Sequence, residues 1–152
     1  MERFLNHKEN IQRCSEHTLR AYKNDLVQYL NFSVNYENNL LNIKSKHIKY
    51  YLNDIGKTQI SSKTMVRKLA SIKSFYKYLA SNKIINVNIA RTIKSPKISK
   101  RLPNFLTIEE MRKILDYPYG YSLKDIRDKL ILELFYSTGI RISELVQIKI
   151  NK

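Results

Sequence analysis

The sequence predicts an all-α protein. Apolar residues recur at helical spacing along nearly the whole chain, candidate N-cap residues precede these stretches, and no alternating stretch is long enough to indicate a strand. Short helices with one apolar stripe each pack into bundles. A chain of 152 residues has room for one such domain or for two small helical units.

Two amphipathic helices are predicted near the start. The first follows a candidate N-cap at Ser15 and ends near Ser33, and the second lies between Ser45 and Gly56. Ser45 is the candidate cap of the second helix, and Gly56 is expected just past its end. The apolar stripe of the first helix consists of Leu19, Tyr22, Leu26, Tyr29 and Leu30.

A third helix over 62–81 separates its two faces most clearly. Its apolar residues lie on one side and its basic and hydroxyl residues on the other. A short fourth helix is predicted over 88–93, which would complete a four-helix bundle. The apolar side of the third helix consists of Met65, Leu69, Ile72, Phe75, Tyr76 and Leu79.

A basic, proline-containing segment divides the chain. Pro96 and Pro103 disfavour helix, so 94–106 is predicted to be a linker. The chain is accordingly predicted to consist of a helical domain over 1–93, this linker, and a second unit over 107–152.

Two helices are predicted in the second unit. Thr107 and Glu110 form a capping-box pattern that opens a helix to about Tyr117. A longer helix over 124–138 has apolar residues dense enough for a core position. Gly139 follows it and permits the positive φ at which helices often end.

The positive charge is concentrated in the first two thirds of the chain. The protein has 28 Lys/Arg and 13 Asp/Glu, a formal net charge of +15. Residues 1–100 hold 19 basic and 6 acidic residues, a surplus of 13. Such a surplus is typical of nucleic-acid-binding proteins. A codon bias toward Lys, Asn and Ile is the competing explanation, although it would not by itself gather Lys on one helix face.

Composition argues against several other classes. The single cysteine, Cys14, allows no intramolecular disulfide, which fits a reducing cytoplasm. The three histidines lie far apart, and the sequence has no Gly-rich phosphate loop, so we predict no metal, no cofactor and no small-molecule substrate. Without an apolar run of 18 residues or a signal-peptide pattern, no membrane association is predicted.

Several segments, in order, resemble Xer-type members of the tyrosine recombinase (phage integrase) family. Residues 15–26 and 64–79 resemble two helices of its core-binding domain, and 88–103 resembles its interdomain connection. Residues 106–110 and 136–145 resemble the start of its catalytic domain. The resemblance implies a SAM-like four-helix core-binding bundle, a linker, and the first helices of a truncated mixed α/β catalytic domain.

The family cleaves and rejoins DNA strands through a tyrosine near the C-terminus, without a metal or nucleotide cofactor. The resemblance implies that Arg141 corresponds to one of two arginines that hold the scissile phosphate, supported by Glu144. A guanidinium suits this role because it donates two parallel hydrogen bonds to phosphate oxygens. The nucleophile and the other catalytic residues are expected beyond Lys152, so this chain alone is expected to be inactive. A fragment, a decayed gene and a genuine short product remain open.

The implied partner is double-stranded DNA, with other recombinase protomers as further partners. Phosphate contacts are expected from exposed basic and hydroxyl side chains on the first and third helices and in the linker. The candidates are Thr18, Lys63, Thr64, Arg67, Lys73, Lys77, Lys100 and Arg101. The alternatives are a non-enzymatic DNA-binding module that occupies a recombination site, and a basic RNA-associated protein.

Overall fold

The computed structural model describes residues 1–37, 42–97 and 104–149, and within these ranges it contains helices, turns and loops but no strand. The all-α prediction is therefore confirmed. The chain divides into two compact units, Met1–Lys100 and Arg101–Lys152. In chain order the helices are α1 (Glu2–Asn10), α2 (Glu16–Val34), α3 (Ser45–Gly56), α4 (Ser62–Ser81), α5 (Ile108–Leu115), α6 (Leu123–Thr138) and α7 (Ile142–Leu145).

The predicted ends of α2 and α4 are confirmed to within a residue, whereas two predictions for α3 are wrong. Ser45 is the first helical residue rather than the cap, and Lys44 is the N-cap. The Ser45 hydroxyl instead donates to the carbonyl of Ile89 at 2.6 Å. Gly56 is the last helical residue, and Lys57 follows as a right-handed C-cap. The residue at positive φ comes later, at Gln59, whose φ is 54°.

The first unit has a continuous core at the crossings of α2 with α1, α3 and α4. The apolar stripes predicted for the first and third helices supply much of it. The segment after α4 adds two buried side chains, Ala90 and Ile93. The buried hydrophobic residues are Phe4, Leu26, Tyr29, Ile43, Ile48, Tyr51, Leu69, Ile72, Phe75, Tyr76, Ala90 and Ile93.

The fourth helix of the bundle is α1, not the segment 88–93. This segment forms turns, because the Asn88 side chain accepts from the amide of Ala90 at 3.1 Å and the Ile89 carbonyl accepts from Ser45. Side-chain bonds of this kind compete with helical ones. Helix α1 was not predicted from the sequence. Its nine residues are too few to be stable alone, and Phe4 holds it in the core.

The second unit has no buried residue within 104–149. Helix α5 begins at the predicted capping box of Thr107 and Glu110 but ends at Leu115, two residues before the predicted Tyr117. It packs on α6. Helix α6 ends at Thr138, and Gly139, which follows it, has the predicted positive φ of 63°.

Across the described residues, no helix is both long enough and apolar enough to cross a membrane.

Candidate nucleic-acid interface

The N-termini of α2 and α4 are built in the same way. Ser15 accepts a hydrogen bond from the amide of Thr18, and Ser61 accepts one from the amide of Thr64, at 3.4 and 3.2 Å. In both pairs the two hydroxyl oxygens lie 2.9 Å apart. Each serine therefore caps its helix. Thr18 is exposed and Thr64 is half-buried, so the Thr18 hydroxyl is the more accessible of the two.

A groove of about 360 Å³ runs between the first turns of α2 and the first half of α4. It brings together two of the predicted contact residues, Thr18 and Arg67. The small side chains of Ala21 and Ala70 also line it. A hydroxyl and a guanidinium thus lie on one concave surface that is open to solvent.

The other predicted contacts on α4 are distributed along its outer side. Lys63 and Lys77 are exposed and Lys73 is half-buried. None of these three lysines has a carboxylate within 4 Å among the described residues. Lys77 lines a second groove, of about 270 Å³, between α1 and α4. Two more predicted contacts, Lys100 and Arg101, lie outside the described residues.

A buried carboxylate connects α2 to α4 beneath the first groove. The Asp25 side chain is 1% exposed. Its Oδ2 accepts from Arg67 Nη1 at 2.5 Å and from Ser71 Oγ at 2.8 Å, and its Oδ1 lies 3.4 Å from Lys68 Nζ. Lys68 also donates to Gln28. Because donors meet both of its oxygens, the buried Asp25 carboxylate has hydrogen-bond partners for its charge.

This network was not predicted from the sequence. Its sequence signal is an acidic residue inside an apolar stripe, because Asp25 lies between Tyr22 and Tyr29 at helical spacing and directly before the core residue Leu26. Half of the Arg67 side chain, 49%, remains exposed. Arg67 therefore both neutralises a buried charge and faces the groove.

Three tyrosines fill the core below the network. The hydroxyls of Tyr29 and Tyr76 lie 3.0 Å apart, whereas the buried Tyr51 hydroxyl has no hydrogen-bond partner among the described residues. Burial, with a smaller effect from the Asp25 carboxylate, raises the pKa of Tyr51 to about 12. Burial also raises the pKa of Tyr29 and of Tyr76. These hydroxyls are inside the fold and do not face the groove.

The second unit carries the other candidate site. Gly139 turns the chain out of α6, and Arg141 precedes α7. The Arg141 amide donates to Glu144 Oε2 at 3.0 Å, and its Nη1 donates to Oε1 of the same carboxylate at 3.1 Å. The Arg141 side chain is 80% exposed, so most of its donors face solvent.

The chain matches two family models in the order that these two units suggest. Residues 1–83 match the phage integrase N-terminal SAM-like domain, and residues 104–152 match the phage integrase family. The first model alone spans more than half of the chain. This protein belongs to the phage integrase family, the tyrosine recombinases.

Among individual proteins, the chain is similar to several named tyrosine recombinases. It is 42% identical to tyrosine recombinase XerC of Thermodesulfovibrio yellowstonii over 93% of its own length and 46% of that protein's. It is 41% identical to tyrosine recombinase XerC of Myxococcus xanthus, over 95% and 48% of the two chains. A tyrosine recombinase of Pseudothermotoga lettingae is 34% identical, over 99% and 52%. The chain thus spans about half the length of these relatives.

Proposed function

We propose that this chain binds double-stranded DNA as part of a site-specific tyrosine recombinase. The observation that carries the proposal is the exposed side of α4, where Lys63 and Lys77 have no carboxylate partner within the described ranges and Arg67 faces a groove with Thr18. These groups fit the spaced negative charges of a phosphate backbone. The surplus of 13 positive charges in residues 1–100 supports the same reading.

In this proposal the units have separate tasks. Residues 1–93 bind the duplex, 94–106 link the units, and 107–152 carry Arg141 toward a phosphate at the cleavage point, supported by Glu144. The site needs no metal or cofactor, and further recombinase protomers are proposed partners on the same DNA. The proposed compartment is the cytoplasm, because the partner is DNA and the single thiol has no partner cysteine.

Duplex binding is best tested with Lys63→Ala combined with Lys77→Ala. Both lysines are exposed and unpaired in the described structure, so their removal leaves the core and the Asp25 network intact. Each lost phosphate contact lowers the slope of log K against log salt by about 0.9, which corresponds to about eightfold in affinity at 0.1 M salt. Fluorescence anisotropy on a labelled duplex should therefore show a slope lower by about 1.8.

The matched control is Lys46→Ala combined with Lys49→Ala. It removes the same charge from the exposed side of α3, where no contact is proposed. Equal losses in the two double variants would show that general charge, and not the α4 surface, produces the binding. Equal affinity of the unchanged chain for structured RNA and for duplex DNA would favour an RNA-associated protein instead.

A further inference from the structure

Asp25 lies beneath the α2–α4 groove, and the hydrogen bonds of its carboxylate within the described residues all go to α4. Its three donors are on two successive turns of that helix, with Arg67 and Lys68 adjacent and Ser71 one turn later. The carboxylate is buried, so water does not screen these contacts as it would at the surface. The Asp25 carboxylate therefore holds α2 against α4, and it also restricts the side chains that bond to it.

Arg67 retains unused hydrogen-bond donors after it binds Asp25. A guanidinium carries five N–H donors, and the bond to Asp25 uses Nη1. The side chain lines the groove that also contains Thr18 and the small residues Ala21 and Ala70. A long side chain that is free in solution must be ordered when it binds, and this weakens binding. An Arg67 already held by a buried carboxylate has lost that freedom before DNA arrives.

We infer that Asp25 is a positioning residue for DNA binding: its carboxylate holds the Arg67 guanidinium in the α2–α4 groove, with the remaining donors turned toward one DNA phosphate beside the Thr18 hydroxyl. The inference rests on the proposed function, because it assumes that the groove meets a DNA backbone. It assigns a role in affinity to a residue that DNA does not touch.

The direction in which one substitution changes the affinity for DNA separates this positioning role from an effect of net charge alone. Asp25→Asn removes a negative charge and raises the formal net charge of the chain from +15 to +16. If only charge mattered, the variant would bind DNA more tightly. The positioning role instead predicts a Kd that is roughly twofold to tenfold higher, the effect of ordering one long side chain. The salt slope should fall by up to about one unit as the Arg67 contact is lost.

Two further variants test whether the effect passes through Arg67. Ser71→Ala removes another bond to the same carboxylate but leaves the Arg67 contact, so its Kd should equal that of the unchanged chain. In an Arg67→Ala background, Asp25→Asn should cause no additional loss of affinity. A full additional loss there would overturn the inference.

A measurement on the unchanged chain covers the case in which Asp25→Asn does not fold. Side-chain ¹⁵N relaxation of the Arg67 Nε–H group should show high order in the absence of DNA, in contrast to Arg3, which is exposed and has no carboxylate partner among the described residues. A mobile Arg67 would overturn the inference, as would tighter binding by Asp25→Asn. If the unchanged chain fails to bind duplex DNA at all, the proposed function itself has failed, whatever the relaxation data show.

Discussion

Phe4→Ala should destabilise the first unit strongly, because Phe4 attaches α1 to the rest of the bundle. Its side chain is 1% exposed, and its ring meets three others edge to face. The ring centroids of Tyr22, Phe75 and Tyr78 lie 5.6, 5.4 and 5.5 Å away. Truncating a buried phenylalanine to alanine typically destabilises a protein by about 3–5 kcal/mol.

The contacts of Phe4 place the expected loss of unfolding free energy in the upper half of that range. Local undocking of α1 limits how large this loss can be. Each edge-to-face pair adds roughly 0.5–1.5 kcal/mol beyond area burial. A nine-residue helix has little stability alone, so the variant can release α1 as a unit and lose no more than its docking free energy. We therefore expect about 4 kcal/mol.

Urea unfolding followed by far-ultraviolet circular dichroism measures this loss. Ile11→Ala is the matched control at the end of the same helix, because Ile11 is 70% exposed and its truncation should change the free energy of unfolding by less than about 0.5 kcal/mol. A loss below about 1 kcal/mol for Phe4→Ala would refute the reasoning. It would mean that α1 does not belong to the cooperative bundle.

Four other outcomes are expected. Tyr51→Phe should raise the free energy of unfolding at pH 7 by about 1 kcal/mol in urea titrations, because it removes a buried hydroxyl without a partner in the described structure. The pKa of Tyr51 is about 12 in the folded state and 10 when unfolded, so its ionisation leaves the free energy of unfolding unchanged below pH 10 and lowers it as pH rises from 10 toward 12. Tyr51→Phe should therefore flatten the alkaline decline, and an unchanged profile would contradict that assignment. Because Arg141 is proposed to act on the phosphate that is cleaved rather than to hold the duplex, Arg141→Ala should change the salt slope of DNA binding by less than half a unit in anisotropy titrations. A full-unit change would make Arg141 a binding contact. Amide exchange should be slow in α2 and α4 and much faster in α6, where no residue is buried; equal protection would refute this difference.

The sequence predicted the helices that carry their own signals. Helices α2 and α4 have long apolar stripes and a serine cap, and both were located to within a residue. Helix α1 has one buried aromatic residue and depends on partners from other helices, so its own nine residues did not reveal it. The segment 88–93 has helical composition, but bonds from Asn88 and Ser45 hold it in turns. These bonds join positions up to 44 residues apart, which a local pattern does not show.

In the candidate sites, too, contacts between near neighbours in sequence were predictable and contacts between distant residues were not. Arg141 and Glu144 are three residues apart on one turn, so their spacing alone predicts that they are neighbours, and the structure places them 3.1 Å apart. The partner of Arg67 is 42 residues away on another helix. Only the crossing of α2 and α4 brings that carboxylate beneath the groove. The sequence therefore indicated which side of α4 is basic, but not which of its basic residues is held in place.

Arg67 is held by a buried carboxylate, whereas Lys63 and Lys77 are not, so substitutions of these residues must be interpreted differently. Replacing Arg67 removes a groove donor and also leaves a buried carboxylate with weaker neutralisation, so a loss of DNA binding would combine two causes. Replacing Lys63 or Lys77 changes only the exposed surface. The lysines therefore report whether α4 faces DNA, whereas Arg67 is informative only in combination with Asp25. If the lysine pair lowers the salt slope and Asp25→Asn weakens binding despite its added positive charge, the α4 surface binds phosphates and the buried network orients it.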